Sequence, residues 1–154
     1  MSIITDQILP LPDENSKRFI AILNRKIEMG PLLNALGHMS AGLSSRVQVE
    51  SGAAALSMLE YRDAQEGIHP AISHFPFIVL RAENSNQIRK VRQEAIQRQL
   101  PFTDFVRTMT LGTSEQQLQA TQAMPEEQLE YFGICLFGET QTLREFTGKF
   151  SLFK

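Results

Sequence analysis

Cysteine occurs once in these 154 residues, at Cys135, so no disulfide can form within the chain and a reducing compartment is the natural setting. The apolar neighbours Ile134 and Leu136 predict a buried, inert thiol rather than a nucleophile. Histidine is almost as scarce, at His38, His69 and His74 only. The separation of His69 from His74, interrupted by Pro70, fits none of the usual zinc spacings, so no metal and no cofactor are expected. No apolar run approaches the roughly 20 residues of a membrane span. The N-terminus carries Asp6 and no basic leader, and Pro10 and Pro12 break its apolar run, unlike a signal peptide. A net charge of −2 gives no overall attraction to nucleic acid or to acidic membranes. There is no Gly-x-Ser-x-Gly elbow, no internal repeat and no low-complexity segment. What remains is a cytoplasmic globular protein of a length that suits one domain.

Its organising stretch runs from residue 19 to residue 43. Phe19-Ile20-Ala21-Ile22-Leu23 is a near-continuous apolar run, as in a strand buried on both faces of a sheet. Met29-Gly30-Pro31 then opens a helix, with Pro31 where a first turn tolerates it. Leu32, Leu36, Met39 and Leu43 fall on one face of that helix. Ala35, Gly37, Ser40, Ala41 and Gly42 are small enough to permit close approach to a sheet. Residues 1–16 read as an N-terminal arm and 17–154 as a single domain. The arm's Ile3, Ile4, Ile8, Leu9 and Leu11 are too apolar for a solvated tail and are expected to pack on the domain or on a partner chain, a pointer to a homodimer.

Further along, Arg46-Val47-Gln48-Val49-Glu50 alternates as a short strand does. Residues 59–63 and 68–72 flank the polar Ala64-Gln65-Glu66-Gly67, a hairpin-like arrangement whose second arm Pro70 restricts to an edge. Phe75 to Leu80 reads as a central strand. Asn84 and Gln87 suit the capping box of a helix ending near Gln99, with Ile88, Val91 and Ala95 inward. Phe102 to Val106 is a third strand, and Thr113 with Gln116 caps a polar helix that stops before Pro125. Tyr131 to Phe137 is the fourth long strand, followed by a short helix, Thr140 to Phe146, and an extended piece, Phe150 to Phe153. Strands separated by helical patterns predict an α/β three-layer sandwich with a mixed sheet of about four main strands.

Several of these stretches carry a resemblance. The segment from Phe19 through Met29-Gly30 to Ala41 resembles the first strand and helix of type II peptidyl-tRNA hydrolases. Gln99-Leu100-Pro101 before the third strand, Gly133-Ile134 in the fourth, and Thr147-Gly148-Lys149-Phe150-Ser151-Leu152 at the end resemble theirs in the same order, over most of residues 17–154. Closer still, the Tyr61-Arg62-Asp63-Ala64 turn with Gly67, His69-Pro70 and the insertion from Gly112 to Pro125 are similar to the domain-of-unknown-function family two thousand, a family of small proteins with that fold. The chain is identified as a member of it. The resemblance implies the hydrolase-like fold but not the hydrolase activity. Pro31 and Leu33 stand where the hydrolases carry lysines, and Thr108-Met109-Thr110 where they carry Asp-Ala-Gly. Water activation and charge stabilisation need groups that leucine and proline do not supply.

No catalytic residue is assigned, but a candidate ligand pocket is. One wall is the turn after the first strand, where Asn24, Arg25, Lys26 and Gly30 adjoin a helix N-terminus able to attract an anion or a carbonyl. The plain alternative is a helix start with solvated Arg25 and Lys26. The opposite wall is the hydroxyl-rich loop Arg107, Thr108, Thr110 and Thr113, whose alternative is a simple cap by Thr113. His38, in helical phase with Asn34, either lines that pocket as an acid–base group or is a packed surface histidine. Arg89, Lys90, Arg92 and Arg98 make the second helix basic, either for phosphates or as a solvated face. Two functions follow: a binding or interaction module for a small anionic or carbonyl ligand, or a hydrolase with a rearranged site built on Arg25 or Lys26 and His38. Binding of tRNA is not expected, nor is a membrane.

Overall fold

The computed structural model describes residue 13 and residues 15–154. The packing expected of Ile3, Ile4, Ile8, Leu9 and Leu11 lies outside those residues. The apolar run becomes β1 (Lys17–Asn24), and six consecutive residues, Phe19 to Asn24, are buried. β1 is parallel to β4 (Phe77–Ala82) on one side and antiparallel to β6 (Tyr131–Glu139) on the other. β5 (Phe102–Val106) extends the sheet beyond β6, and β7 (Ser151–Leu152) beyond β4, giving the order β5-β6-β1-β4-β7. The sheet is therefore mixed, as expected, with the two-residue β7 added to four longer strands.

Alternation along β1 divides the core into two. Phe19, Ala21 and Leu23 pack under α1 (Met29–Ser51) through Leu32, Ala35, Met39, Leu43 and Val47. Ile20 and Ile22 face the opposite layer, where α2 (Ser85–Gln97) contributes Ile88, Val91 and Ala95, and α4 (Thr140–Thr147) contributes Leu143. Each large apolar side chain so buried contributes about 1.5–3 kcal/mol. No helix among the described residues is long and apolar enough to cross a membrane.

Three expectations are corrected. Arg46–Glu50 is not a strand but the end of α1. Val47 is buried because it extends the stripe of Met39 and Leu43 by one further turn, whereas Val49 is 84% exposed; two valines alternating with polar residues satisfy either period. Of the small residues in α1, Ala35 is fully buried against the sheet and Gly42 lies against β5, where a Cβ would meet Thr103 Cγ2 at 3.5 Å, whereas Gly37 and Ala41 lie on the exposed side. The second central strand starts at Phe77, two residues later than the apolar run, and Phe75 packs instead beneath α1's layer.

Local signals otherwise worked as chemistry predicts. Asn84 Oδ1 accepts from the Gln87 N–H at 3.0 Å, although the Gln87 side chain turns to the N–H of Glu83 rather than closing the box on Asn84. α2 stops at Gln97; Gln99 takes a left-handed φ of 55°, and the Leu100 N–H returns to the Ala95 carbonyl. β2 (Met58–Arg62) and β3 (Ile68–Ser73) form the expected hairpin, a separate two-stranded sheet. Leu59 pairs with Ile72 and Tyr61 with His69, so the extra residue falls in β3 beside Pro70. Asp63 closes the turn, accepting from the N–H groups of Gln65 and Gly67 at 2.9 Å. Gly67 is required for space rather than for φ, since a Cβ there would meet the Asp63 carboxylate.

Two outcomes test this packing. A Cβ on Gly133 would lie 2.8 Å from Leu23 Cδ2 and 3.0 Å from the Ile22 carbonyl oxygen, so Gly133→Ala should destabilise by about 1–3 kcal/mol in urea denaturation. Gly37→Ala, which meets open space in mid-helix, should stabilise by about 0.5–1 kcal/mol. Equal effects would show that the β1–β6 approach is not tight. Cys135 is fully buried, which pushes its thiol pKa up to about 12. Thiol reagents at mildly alkaline pH should therefore leave it unmodified until the protein unfolds.

Candidate functional site

β1 and β4 are parallel neighbours, yet the chain leaves β1 for α1 on one face and β4 for α2 on the other. That divergence opens a crevice at their carboxyl ends, the usual ligand position in α/β sheets. The crevice is a cleft of about 380 Å³ lined by Asn24, Lys26, Asn84, Ser85, Asn86, Arg89 and residues 127–130. Most of its polar groups are already engaged. The buried Asn24 donates from Nδ2 to the Tyr131 carbonyl at 2.9 Å and accepts from the Lys26 N–H at 3.0 Å, which fixes the turn after β1. Asn84 caps α2, and Ser85 Oγ accepts from the Tyr131 N–H at 3.0 Å. Arg89 bonds Asn86 and the Leu129 carbonyl, pairs with Glu126, and lies over the Tyr131 ring. Lys26 is left as the one cation of this cleft whose side chain has no internal partner among the described residues.

A second cleft, of about 580 Å³, lies between α1 and the insertion that follows β5. Its walls are Asn34, His38 and Met39 from α1, Thr103, Asp104 and Phe105 from β5, Met109 and Thr110 from the 3₁₀ turn Arg107–Thr110, and Ser114 and Gln117 from α3 (Ser114–Gln122). The His38 and Phe105 rings are stacked with centroids 6.2 Å apart. Thr103 Oγ1 donates to the Met39 carbonyl at 2.8 Å, which holds β5 to α1 at the floor. α3 buries no residue of its own. A full capping box of Thr113 with Gln116 starts it, and a 2.7 Å bond between the hydroxyls of Thr108 and Thr121 ties it to the 3₁₀ turn. Asp104 is the sole acidic or basic residue on the walls, histidine aside, among the described residues. Burial raises its carboxyl pKa, against the lowering effect of Arg92, whose Nε lies 3.0 Å away.

The expected single pocket is thus divided. Asn24 and Lys26 line the crevice at the strand ends, and His38 and Thr110 the α1–α3 cleft. Arg25 pairs with Glu83 at 2.9 Å, outside both. Gly30 is exposed. Arg107 is held by Glu130 and lies over the Phe132 ring at 4.9 Å. Thr108 is buried in its bond to Thr121, and Thr113 acts as the helix cap of its plain reading. Sequence reasoning passed over Asn34 as a wall, and Thr103, Ser114 and Gln117 altogether. Asn34 and His38, four apart and beside the buried stripe, were the available signal. No group of histidine, cysteine and carboxylate side chains among the described residues is placed to hold a metal ion.

A mixed five-stranded sheet with α1 on one face and α2 and α4 on the other defines an α/β domain with a crevice at the ends of its parallel strands. The chain belongs to the family described as "Protein of unknown function (DUF2000)", whose pattern matches residues 17–154. Among solved structures it is similar to the protein of unknown function Atu0240 from Agrobacterium tumefaciens strain C58, with a TM-score of 0.73 and 16% identity. The match covers 90% of this chain and 98% of that one, and at such identity it speaks of the fold. No curated protein matches the chain.

Asn24 offers a direct test of how the strand ends are held. Asn24→Ala leaves a buried carbonyl and an N–H without partners, so stability should fall by about 1–3 kcal/mol. Hydrogen exchange should quicken at Lys26, whose N–H loses its acceptor, and unchanged exchange there would rule out this role.

Proposed function

We propose that the protein is a binding module on a frame of the type II peptidyl-tRNA hydrolase kind, and that the α1–α3 cleft takes a small neutral ligand bearing carbonyl or amide groups. The observation that carries this reading is the uncommitted chemistry of its walls. The side chains of Asn34, His38, Ser114 and Gln117 converge on the cleft, and none has a hydrogen-bond partner within the described protein. Phe105, Met39 and Met109 supply the apolar surface on which a ligand body rests. With no lysine or arginine on these walls, the chemistry favours carbonyl over anion. Arg25, Lys26 and His38 share no cleft, which supports binding over hydrolysis by that trio.

The homodimer forms part of the same proposal. Among the described residues the β2–β3 hairpin joins no other sheet and exposes Met58, Tyr61, Ile68 and Ile72, each about half accessible. An isolated two-stranded sheet is marginal in water, and a second copy covering these side chains relieves both defects.

Native mass spectrometry of gently purified protein tests both statements. The expected result is a dimer carrying a discrete extra mass. His38→Ala and Asn34→Ala should lose that mass and keep the dimer, whereas Tyr61→Lys should do the reverse. A ligand retained equally by the His38 and Asn34 variants places the site elsewhere, and a bare monomer removes the dimer.

A further inference from the structure

A third cleft, of about 550 Å³, lies between α2 and α4 on the side of the sheet away from α1. Four basic residues of α2 and its end drew attention in the sequence, and the structure neutralises three of them. Arg89 pairs with Glu126, Arg92 with Asp104, and Arg98 with both Glu94 and Glu145. Lys90 has no acidic partner among the described residues, and it lines this cleft. Arg144 and Lys149, from α4 and the turn after it, line the same cleft and likewise lack an acidic partner there. The two carboxylates on the walls, Glu94 and Glu145, are both held by Arg98. Three cations without counter-charges therefore face one concavity.

A second sign comes from beneath α4. Arg18 of β1 donates from Nε to Thr140 Oγ1 at 3.3 Å, and burial together with the neighbouring Arg144 guanidinium holds its pKa below the usual arginine range. Two arginines close enough to repel mark a positive spot beside the cleft that a bound anion relieves. The carbonyls ending α4 account for a cation at Arg144, but they do not account for Lys90 in the middle of α2. Gln93 and Gln97 add amides without internal partners, and Val91 and Phe146 form an apolar floor. The volume is that of a small-molecule site rather than a nucleic-acid track.

We propose that the α2–α4 cleft binds a small phosphate-bearing ligand, with the phosphate held by Arg144, Lys90 and Lys149 and the ligand's apolar body against Val91 and Phe146. Arginine supplies the fork that suits phosphate oxygens, and the lysines supply point charges. The site is independent of the α1–α3 cleft, on the other face of the sheet.

Titration of the whole protein with phenyl phosphate, followed calorimetrically and by amide chemical shifts, tests the proposal. Saturable binding that weakens as salt rises is expected, with shifts centred on residues 90–97 and 144–149, and with benzyl alcohol failing to bind. Arg144→Gln and Lys90→Gln should each weaken binding about tenfold or more, the loss of one charge-assisted contact. Lys26→Gln, in the other basic cleft, should leave it unchanged. Because removing Arg144 relieves its repulsion with Arg18 while it forfeits the interaction with the carbonyls ending α4, that variant should unfold at nearly the same urea midpoint as the parent, which separates lost binding from lost folding. Absence of saturable binding overturns the proposal. So does sensitivity to Lys26→Gln in place of Arg144→Gln, or a shift map centred on residues 34–38 and 103–117.

Discussion

The enclosure of β1 from Phe19 to Asn24 is the constraint on which the rest of the molecule depends. Its backbone is paired along both edges, by β4 and by β6, and its side chains are covered on both faces. An apolar strand of this kind has no solvent-facing side, so each face demands a helical layer, and the two faces are filled by different helices. Phe19, Ala21 and Leu23 select α1; Ile20 and Ile22 select α2 and α4. The divergence of α1 and α2 at the end of the parallel pair, and hence the crevice there, follows from that requirement.

Ligand potential in this fold is decided by which polar groups remain uncommitted rather than by where a crevice opens. The strand-end crevice is where α/β domains usually bind, yet Asn24, Asn84, Ser85 and Arg89 are engaged in holding turns and helix starts together. The α1–α3 cleft is built largely from side chains that carry no internal hydrogen bond, and the α2–α4 cleft from cations that carry no internal counter-charge. Charge and hydroxyl chemistry, placed in one pocket when read along the chain, are segregated to different faces of the sheet.

Much of the frame was legible in the residues because its signals are local. The apolar run 19–23, the Asn84 and Thr113 caps, the Asp63–Gly67 turn and the order of strands and helices each rest on neighbours within a few positions. The failure at 46–50 has the same root, since a five-residue window cannot tell two valines of a strand from a helix's last turns; only the continuing stripe of Leu43 and Val47 decides it. The site was less legible because its walls come from residues 34–39, 103–110 and 114–117. Whether His38 meets Lys26 or Ser114 is settled by the turn of α1 against β5, which the Thr103–Met39 bond fixes and no nearby residue announces.

The position of β1 also sets the order in which the protein can be made. Its antiparallel partner begins at Tyr131 and pairs residues as far apart as Lys17 and Glu139. At typical synthesis rates of about 5–20 residues per second, the stretch between those strands takes on the order of 5–20 s to emerge. Throughout that interval an apolar strand, destined for the centre of the sheet, can be covered by α1, β4 and α2 but lacks its partner along one edge. Pairing strands so far apart in the chain is the kind of long-range closure that slows folding and leaves an apolar edge open until the last partner arrives.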